Sequence, residues 1–289
     1  MNGDPRPIGV FDSGIGGLTT VRELFQRLPG ESVLYFGDTA RLPWGNKSKE
    51  TVTRFSLEIA SFLVRQHVKC VVVACNTASS HALDALQDRF DLPVIGVIQP
   101  AARAAVAASP HGRIGVVGTV ATVGSNAYAD AIARLAPAAH VQQRACPLFV
   151  PLVEEGWLDH DVTRLIATEY LAELKTAGLE SLILGCTHYP MLAPLLQAQM
   201  GAGVKLIDSG AEAAGATAAL LAERGLLAPA GRAAAEHHFF LSDEPRRRSF
   251  ASVAEAFLGR ALPKVSVVDQ TDLPWFERVH GADPSPTPE

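Results

Sequence analysis

Several features that would announce a secreted, membrane-bound or nucleic-acid-binding protein are scarce in this chain. Only four of its 289 residues are cysteine, Cys70, Cys75, Cys146 and Cys186, and no two form a C-x-x-C pair. That is too few for a disulfide scaffold. The first residues, Met1 to Pro7, carry no hydrophobic signal segment, so the thiols are expected to stay reduced in a cytoplasmic protein. No apolar run approaches the roughly 18 residues of a spanning helix, which argues against a membrane partner. Basic charge is not in excess either: 25 Lys and Arg stand against 30 Asp and Glu, a net charge of −5. The electrostatic case for nucleic acid is therefore absent, and a small-molecule partner is the expectation that remains.

Apolar residues, at 48% of the sequence, are plentiful enough to bury one large domain or two of ordinary size. The run Val71-Val72-Val73-Ala74 ends abruptly in Cys75, Asn76 and Thr77. A continuous β-branched run of this kind predicts a strand buried on both faces of a parallel sheet, with the polar residues at its carboxyl end, where open α/β sheets bind ligands. A second copy follows 111 positions on, where Leu182-Ile183-Leu184-Gly185 leads into Cys186, Thr187 and His188. Ile114-Gly115-Val116-Val117-Gly118-Thr119 likewise echoes Ile8-Gly9-Val10-Phe11-Asp12-Ser13 at an offset of 106. Two similar offsets predict an α/β fold of two similar parallel-sheet units facing each other across a central site. The first unit is expected to comprise residues 1–97 plus 208–270, the second 98–207, with a disordered tail at 281–289 rich in Pro, Ser and acids.

The stretch Asp12-Ser13-Gly14-Ile15-Gly16-Gly17 lies between a strand and a helix, a cradle that suits anions. It is no dinucleotide fingerprint, because the third glycine of G-x-G-x-x-G would fall at Thr19. Asp12 can be read as a helix cap or as a site acid. Glu154 and Glu155 can be a helix start favoured by the dipole, or one of them a partly buried acid at a site. The helix at 159–176 is expected to turn Val162, Leu165, Ile166, Tyr170, Leu171 and Leu174 inward. Cys70 and Cys146 read as small buried hydrophobes. Cys186 and His188 could ligate a metal, but no third and fourth ligands accompany them, so no metal site is expected. Two thiols at equivalent strand ends suit a different chemistry, in which one thiolate removes a proton from one face of a stereocentre and the other thiol supplies one to the opposite face.

Phe11-Asp12-Ser13-Gly14-Ile15-Gly16-Gly17-Leu18, Pro43-Trp44-Gly45, Ala74-Cys75-Asn76-Thr77-Ala78-Ser79, the stretch from Pro147 to Glu154, and Gly185-Cys186-Thr187-His188-Tyr189-Pro190 together resemble the glutamate racemases of the aspartate/glutamate racemase superfamily. The resemblance runs from Ile8 to about Val268 in matching order. It implies a cofactor-independent enzyme that interconverts L- and D-glutamate and supplies the D-isomer for peptidoglycan. By the same resemblance, Cys75 acts on the D-isomer and Cys186 on the L-isomer. Asp12 assists the first thiol, and Glu154 and His188 the second. Asp12, Ser13, Asn76, Thr77, Thr187 and His188, with backbone at Trp44 and Gly45, hold the substrate, and the protein is a homodimer. Trp44 departs from the tyrosine usual there, so a phenolic hydrogen bond is replaced by backbone, indole edge or ring packing. The competing expectations are a racemase for aspartate or another amino acid, an amino-acid-binding module without chemistry, and a metal hydrolase.

Overall fold

The computed structural model describes residues 3–229, 235–243, 250–271 and 274–277; the tail expected at 281–289 lies outside them. The strands are β1 (Ile8–Asp12), β2 (Val33–Gly37), β3 (Cys70–Val73), β4 (Val94–Gly96), β5 (Arg113–Gly118), β6 (His140–Ala145), β7 (Ser181–Gly185), β8 (Lys205–Asp208), β9 (His237–Leu241) and β10 (Val265–Val267). They form a six-stranded sheet ordered β10-β9-β2-β1-β3-β4 and a four-stranded sheet ordered β6-β5-β7-β8. Every pairing is parallel. The order β2-β1-β3-β4 in one sheet repeats as β6-β5-β7-β8 in the other, so the echoes at offsets of 106 and 111 correspond to equivalent strands, β1 with β5 and β3 with β7. The larger sheet adds β9 and β10 beyond β2.

Alternation along the strands divides the core. Val10, Tyr35 and Val72 face one way and join Val117, Leu182, Leu184 and Phe149 in an apolar cluster that runs between the two units. Phe11, Phe36, Val71 and Val73 face the other way, against Ile59, Phe62 and Leu63 of the helix Lys49–Arg65. That helix starts where its capping chemistry puts it, with the Ser48 hydroxyl accepting from Thr51 N. On the outer face of the smaller sheet, Ile114, Val116 and Ile183 pack on Ala101, Ala105 and Tyr128. The helix Ser209–Glu223, capped by Asp208 through Gly210 N and Ala211 N, leaves the smaller sheet and packs against the helix Leu18–Arg27 of the larger one. Cys70 and Cys146 are fully buried, as their apolar flanks predict.

One local expectation is corrected in part, and two open readings are decided. The helix Asp161–Thr176 buries Thr163, Ala167, Leu171 and Leu174, whereas Leu165 is 69% and Val162 42% exposed. Leu171 and Leu174 are inward as expected and Ile166 and Tyr170 pack partly buried against the core, so only Val162 and Leu165 depart, while small or polar Thr163 and Ala167 take inward places. Asp12 does not cap a helix: the cap position before Leu18 is Gly17, with no side-chain bond, and the Asp12 carboxylate instead accepts from Gly14 N within the glycine loop. Glu154 and Glu155 are not a helix start, because Glu154 is the last residue of the helix Phe149–Glu154. Among the described residues, no helix is long and apolar enough to cross a membrane.

Candidate active site

Strands β3 and β7 occupy equivalent places, each flanked by two partners, and each leads to a cysteine just past its carboxyl end, at the equivalent edge of its sheet. Backbone turns sharply after both. The helix Asn76–His81 begins at once behind Cys75, whose sulfur accepts from Ala78 N at 3.5 Å as the cap of that helix. Behind Cys186 a short turn, Tyr189–Leu192, is pinned by the Tyr189 hydroxyl, whose one proton is shared between the carbonyls of Cys146 (2.8 Å) and Gly118 (3.1 Å). Both sulfurs line one cavity of about 370 Å³, and both cysteines are nearly enclosed, at 5% and 6% exposed.

The first unit contributes Ser13, Trp44, Gly45, Cys75, Asn76 and Thr77 to the cavity wall, and the second Glu154, Cys186, Thr187 and His188. Asp12 is fully buried behind this wall, 3.5 Å from the Thr187 hydroxyl that donates to it. Every residue expected at the site from the sequence is therefore gathered here, although Asp12 sits one layer back.

The two thiols have different surroundings. Cys75 Sγ donates to Ser13 Oγ at 3.5 Å. Burial and then the Asp12 charge push its pKa up to about 12, against the smaller downward pull of Ser13 and the Ala78 amide. Burial likewise pushes the Asp12 carboxyl up, opposed by the charge of His188 and by backbone donors at Gly17, Gly14 and Ser13. On the other side His188 Nδ1 is 3.9 Å from Cys186 Sγ and Nε2 is 3.2 Å from Glu154 Oε1. Burial alone would lower the His188 pKa, but the hydrogen bonds and charges of Cys186 and Glu154 prevail and raise it to about 10. This imidazole is positioned to hold or return the proton of the neighbouring sulfur. No lysine or arginine is among the described residues lining the cavity, so a bound anion would meet hydroxyls, amides and the His188 ring.

Asn76 and Thr77 also tie the units together. The Asn76 amide accepts from Tyr128 OH at 2.6 Å and donates to Ser209 Oγ at 3.2 Å, leaving one amide hydrogen for a ligand. Thr77 Oγ1 lies 3.0 Å from Thr119 Oγ1 and 3.3 Å from Thr122 Oγ1. Trp44 lines the cavity, yet its indole points into the core: Nε1 donates to the buried Asp38 at 3.1 Å and the ring tilts against Phe55. Asp38 also accepts from Arg41 and Ser242, so the loop Leu42–Asn46 is anchored from behind. Gly45 has no room for a side chain, since a Cβ would fall 2.9 Å from Thr119 Cβ.

Residues that sequence reasoning missed are Thr119 and Val120, which line the cavity, and Tyr128, Thr122 and Ser209, which hold its walls. A signal existed for Thr119, which is the counterpart of Ser13 at the offset of 106. Among the described residues no group of three or more His, Cys, Asp or Glu could hold a metal.

The family model for Asp/Glu/hydantoin racemases matches residues 8–217. A glutamate racemase from Geobacter metallireducens is 52% identical over 260 residues, covering 90% of this chain and 95% of the relative. One from Neisseria meningitidis is 48% identical over 267 residues, covering 92% and 97%. Among solved structures, a glutamate racemase isoform from Bacillus anthracis superposes with a TM-score of 0.86 at 40% identity, covering 92% of this chain and 98% of that one. A glutamate racemase from Francisella tularensis in complex with D-glutamate gives 0.85 at 40% identity, with the same coverage of both chains. With its sequence matched over most of its length and its two parallel sheets matched in space, this chain belongs to the Asp/Glu/hydantoin racemase family.

Proposed function

We propose that the protein is a glutamate racemase that inverts Cα with two thiols and no cofactor. The observation that carries this reading is the presence of both sulfurs in the wall of one cavity, delivered by equivalent strands of opposite units. Cys186 takes the Cα proton of the L-isomer and Cys75 returns one to the opposite face; the D-isomer reacts in the reverse sense. Each thiol is helped by its own neighbours, Asp12 for Cys75, and His188 with Glu154 for Cys186. Ser13, Asn76, Thr77, Thr187 and the backbone at Trp44 and Gly45 hold the carboxylates and the amine. Cys75 rests as a thiol, so the ammonium of a bound amino acid, brought beside it, is what makes its thiolate accessible. The glutamate specificity follows from the named activity of relatives that share about half their residues with this chain.

In this reading residues 1–97 with 208–270 and residues 98–207 are the two jaws of the site. The enzyme works in the cytoplasm as a homodimer and supplies D-glutamate for peptidoglycan. Incubation with L-glutamate in deuterium oxide, without added pyridoxal phosphate or metal, is expected to yield D-glutamate labelled at Cα. Cys75→Ser and Cys186→Ser should each lower kcat by about a hundredfold or more, the usual range for loss of a positioned acid or base. Wild-type turnover without incorporation of deuterium, or a Cys75→Ser variant as active as wild type, would overturn the mechanism.

A further inference from the structure

The first helical turn of the larger unit reaches across to the second thiol. Thr19 Oγ1 lies 3.0 Å from the carbonyl oxygen of Thr187 and 2.8 Å from that of Gly16, and its one proton is shared between them. The Thr187 carbonyl belongs to the peptide that joins Thr187 to His188, so holding its oxygen fixes the peptide plane from which the imidazole hangs. Gly16 closes the same contact from the other side. A Cβ there would fall 2.2 Å from Thr187 Oγ1 and 2.5 Å from His188 Nδ1, so only a bare backbone fits against the ring. Thr19 is almost completely buried, and none of the hydrogen bonds described for Cys75 passes through it.

We infer that Thr19, seated on Gly16, is a positioning residue for Cys186: it holds the Thr187–His188 peptide so that His188 stays on the Cys186 sulfur, and it leaves Cys75 untouched. The inference rests on the two-thiol reading for its relevance to turnover, but its geometry stands apart from that reading. The larger half would then carry one thiol and also the clamp for the other half's base, so the second proton donor is assembled only when the halves are in register. The fixed distance matters because proton transfer between sulfur and imidazole needs the two atoms held at hydrogen-bond range.

The test measures each thiol separately in the intact protein. Wild type, Thr19→Val and Thr19→Ser are alkylated with iodoacetamide near neutral pH, and the labelling rates of Cys186 and Cys75 are read by peptide mapping. Valine keeps the shape and removes the hydroxyl; serine restores it. Loss of one buried hydrogen bond predicts about a fivefold fall in Cys186 labelling in Thr19→Val, with Cys75 and the Thr19→Ser protein within about twofold of wild type. Thr19→Ala is measured by the same criteria in case the valine variant does not fold. Unchanged Cys186 labelling, or both thiols slowed alike, would overturn the proposal. Alkylation needs no turnover, so a protein that failed to racemise glutamate would sink the proposed function while leaving this test intact.

Discussion

Burial and the Asp12 charge push the Cys75 thiol up to about 12, while the imidazole beside Cys186 is raised to about 10 by that sulfur and by Glu154. The matched sulfurs thus have unmatched neighbours, a carboxylate on one side and an imidazole on the other. The His188 shift has a consequence for stability. Its folded pKa lies above the ordinary 6.5, so the folded protein keeps a proton that the unfolded chain releases. The stabilisation is complete below pH 6.5, declines as pH rises, and is gone once pH passes about 10. Denaturant unfolding at about pH 6 and about pH 9 should therefore show a fall in stability in wild type that His188→Asn largely removes. Equal pH dependence in the two proteins would contradict the assignment. That His188 stands beside Cys186 was legible from its place in the sequence, whereas its partner Glu154 lies 34 positions away and only the family resemblance, no local pattern, brought the two together.

At the scale of elements, strands that end in chemistry were the most readable parts, because a β-branched run fixes both its burial and the edge where it stops. Helices bordering the site were less so. The helix behind Cys75 starts at once, at Asn76, because the thiol itself acts as its cap, a role that no helix-start signal in the sequence announces. The helix Asp161–Thr176 misleads in the opposite way: its apolar residues are spaced for burial, yet Val162 and Leu165 are exposed and Thr163 and Ala167 share the buried face with Leu171 and Leu174. The loop Leu42–Asn46 is held through its one aromatic residue. Trp44 turns its indole to the buried Asp38 rather than into the cavity, a partner that no spacing rule would suggest. Trp44→Phe keeps the ring but deletes that donor, and should lower the unfolding free energy by about 1 kcal/mol in urea, with Arg41 and Ser242 still serving Asp38. An unchanged unfolding midpoint would mean that the indole N–H does not anchor the loop.

Across the whole molecule, two sheets with the same four-strand order put equivalent edges around one cavity. The internal offsets of 106 and 111 carried that arrangement in the sequence. What they could not carry is the contact between units: Thr77 with Thr119, Asn76 with Tyr128 and Ser209, and Thr19 with Thr187 join residues distant in the chain through single hydroxyls and amides. Such pairs have no periodicity, so only the folded geometry reveals them. They join the walls of the cavity from behind, so the register of the two units sets where the thiols stand. The central claim is that the two sulfurs address opposite faces of one carbon, and a structure of this protein with bound glutamate tests it most directly. Cys75 Sγ and Cys186 Sγ are predicted to lie on opposite sides of Cα, each within about 3.5 Å, the range of a near-attack geometry. Both sulfurs on the same side of Cα, or one of them outside the ligand's cavity, would contradict it.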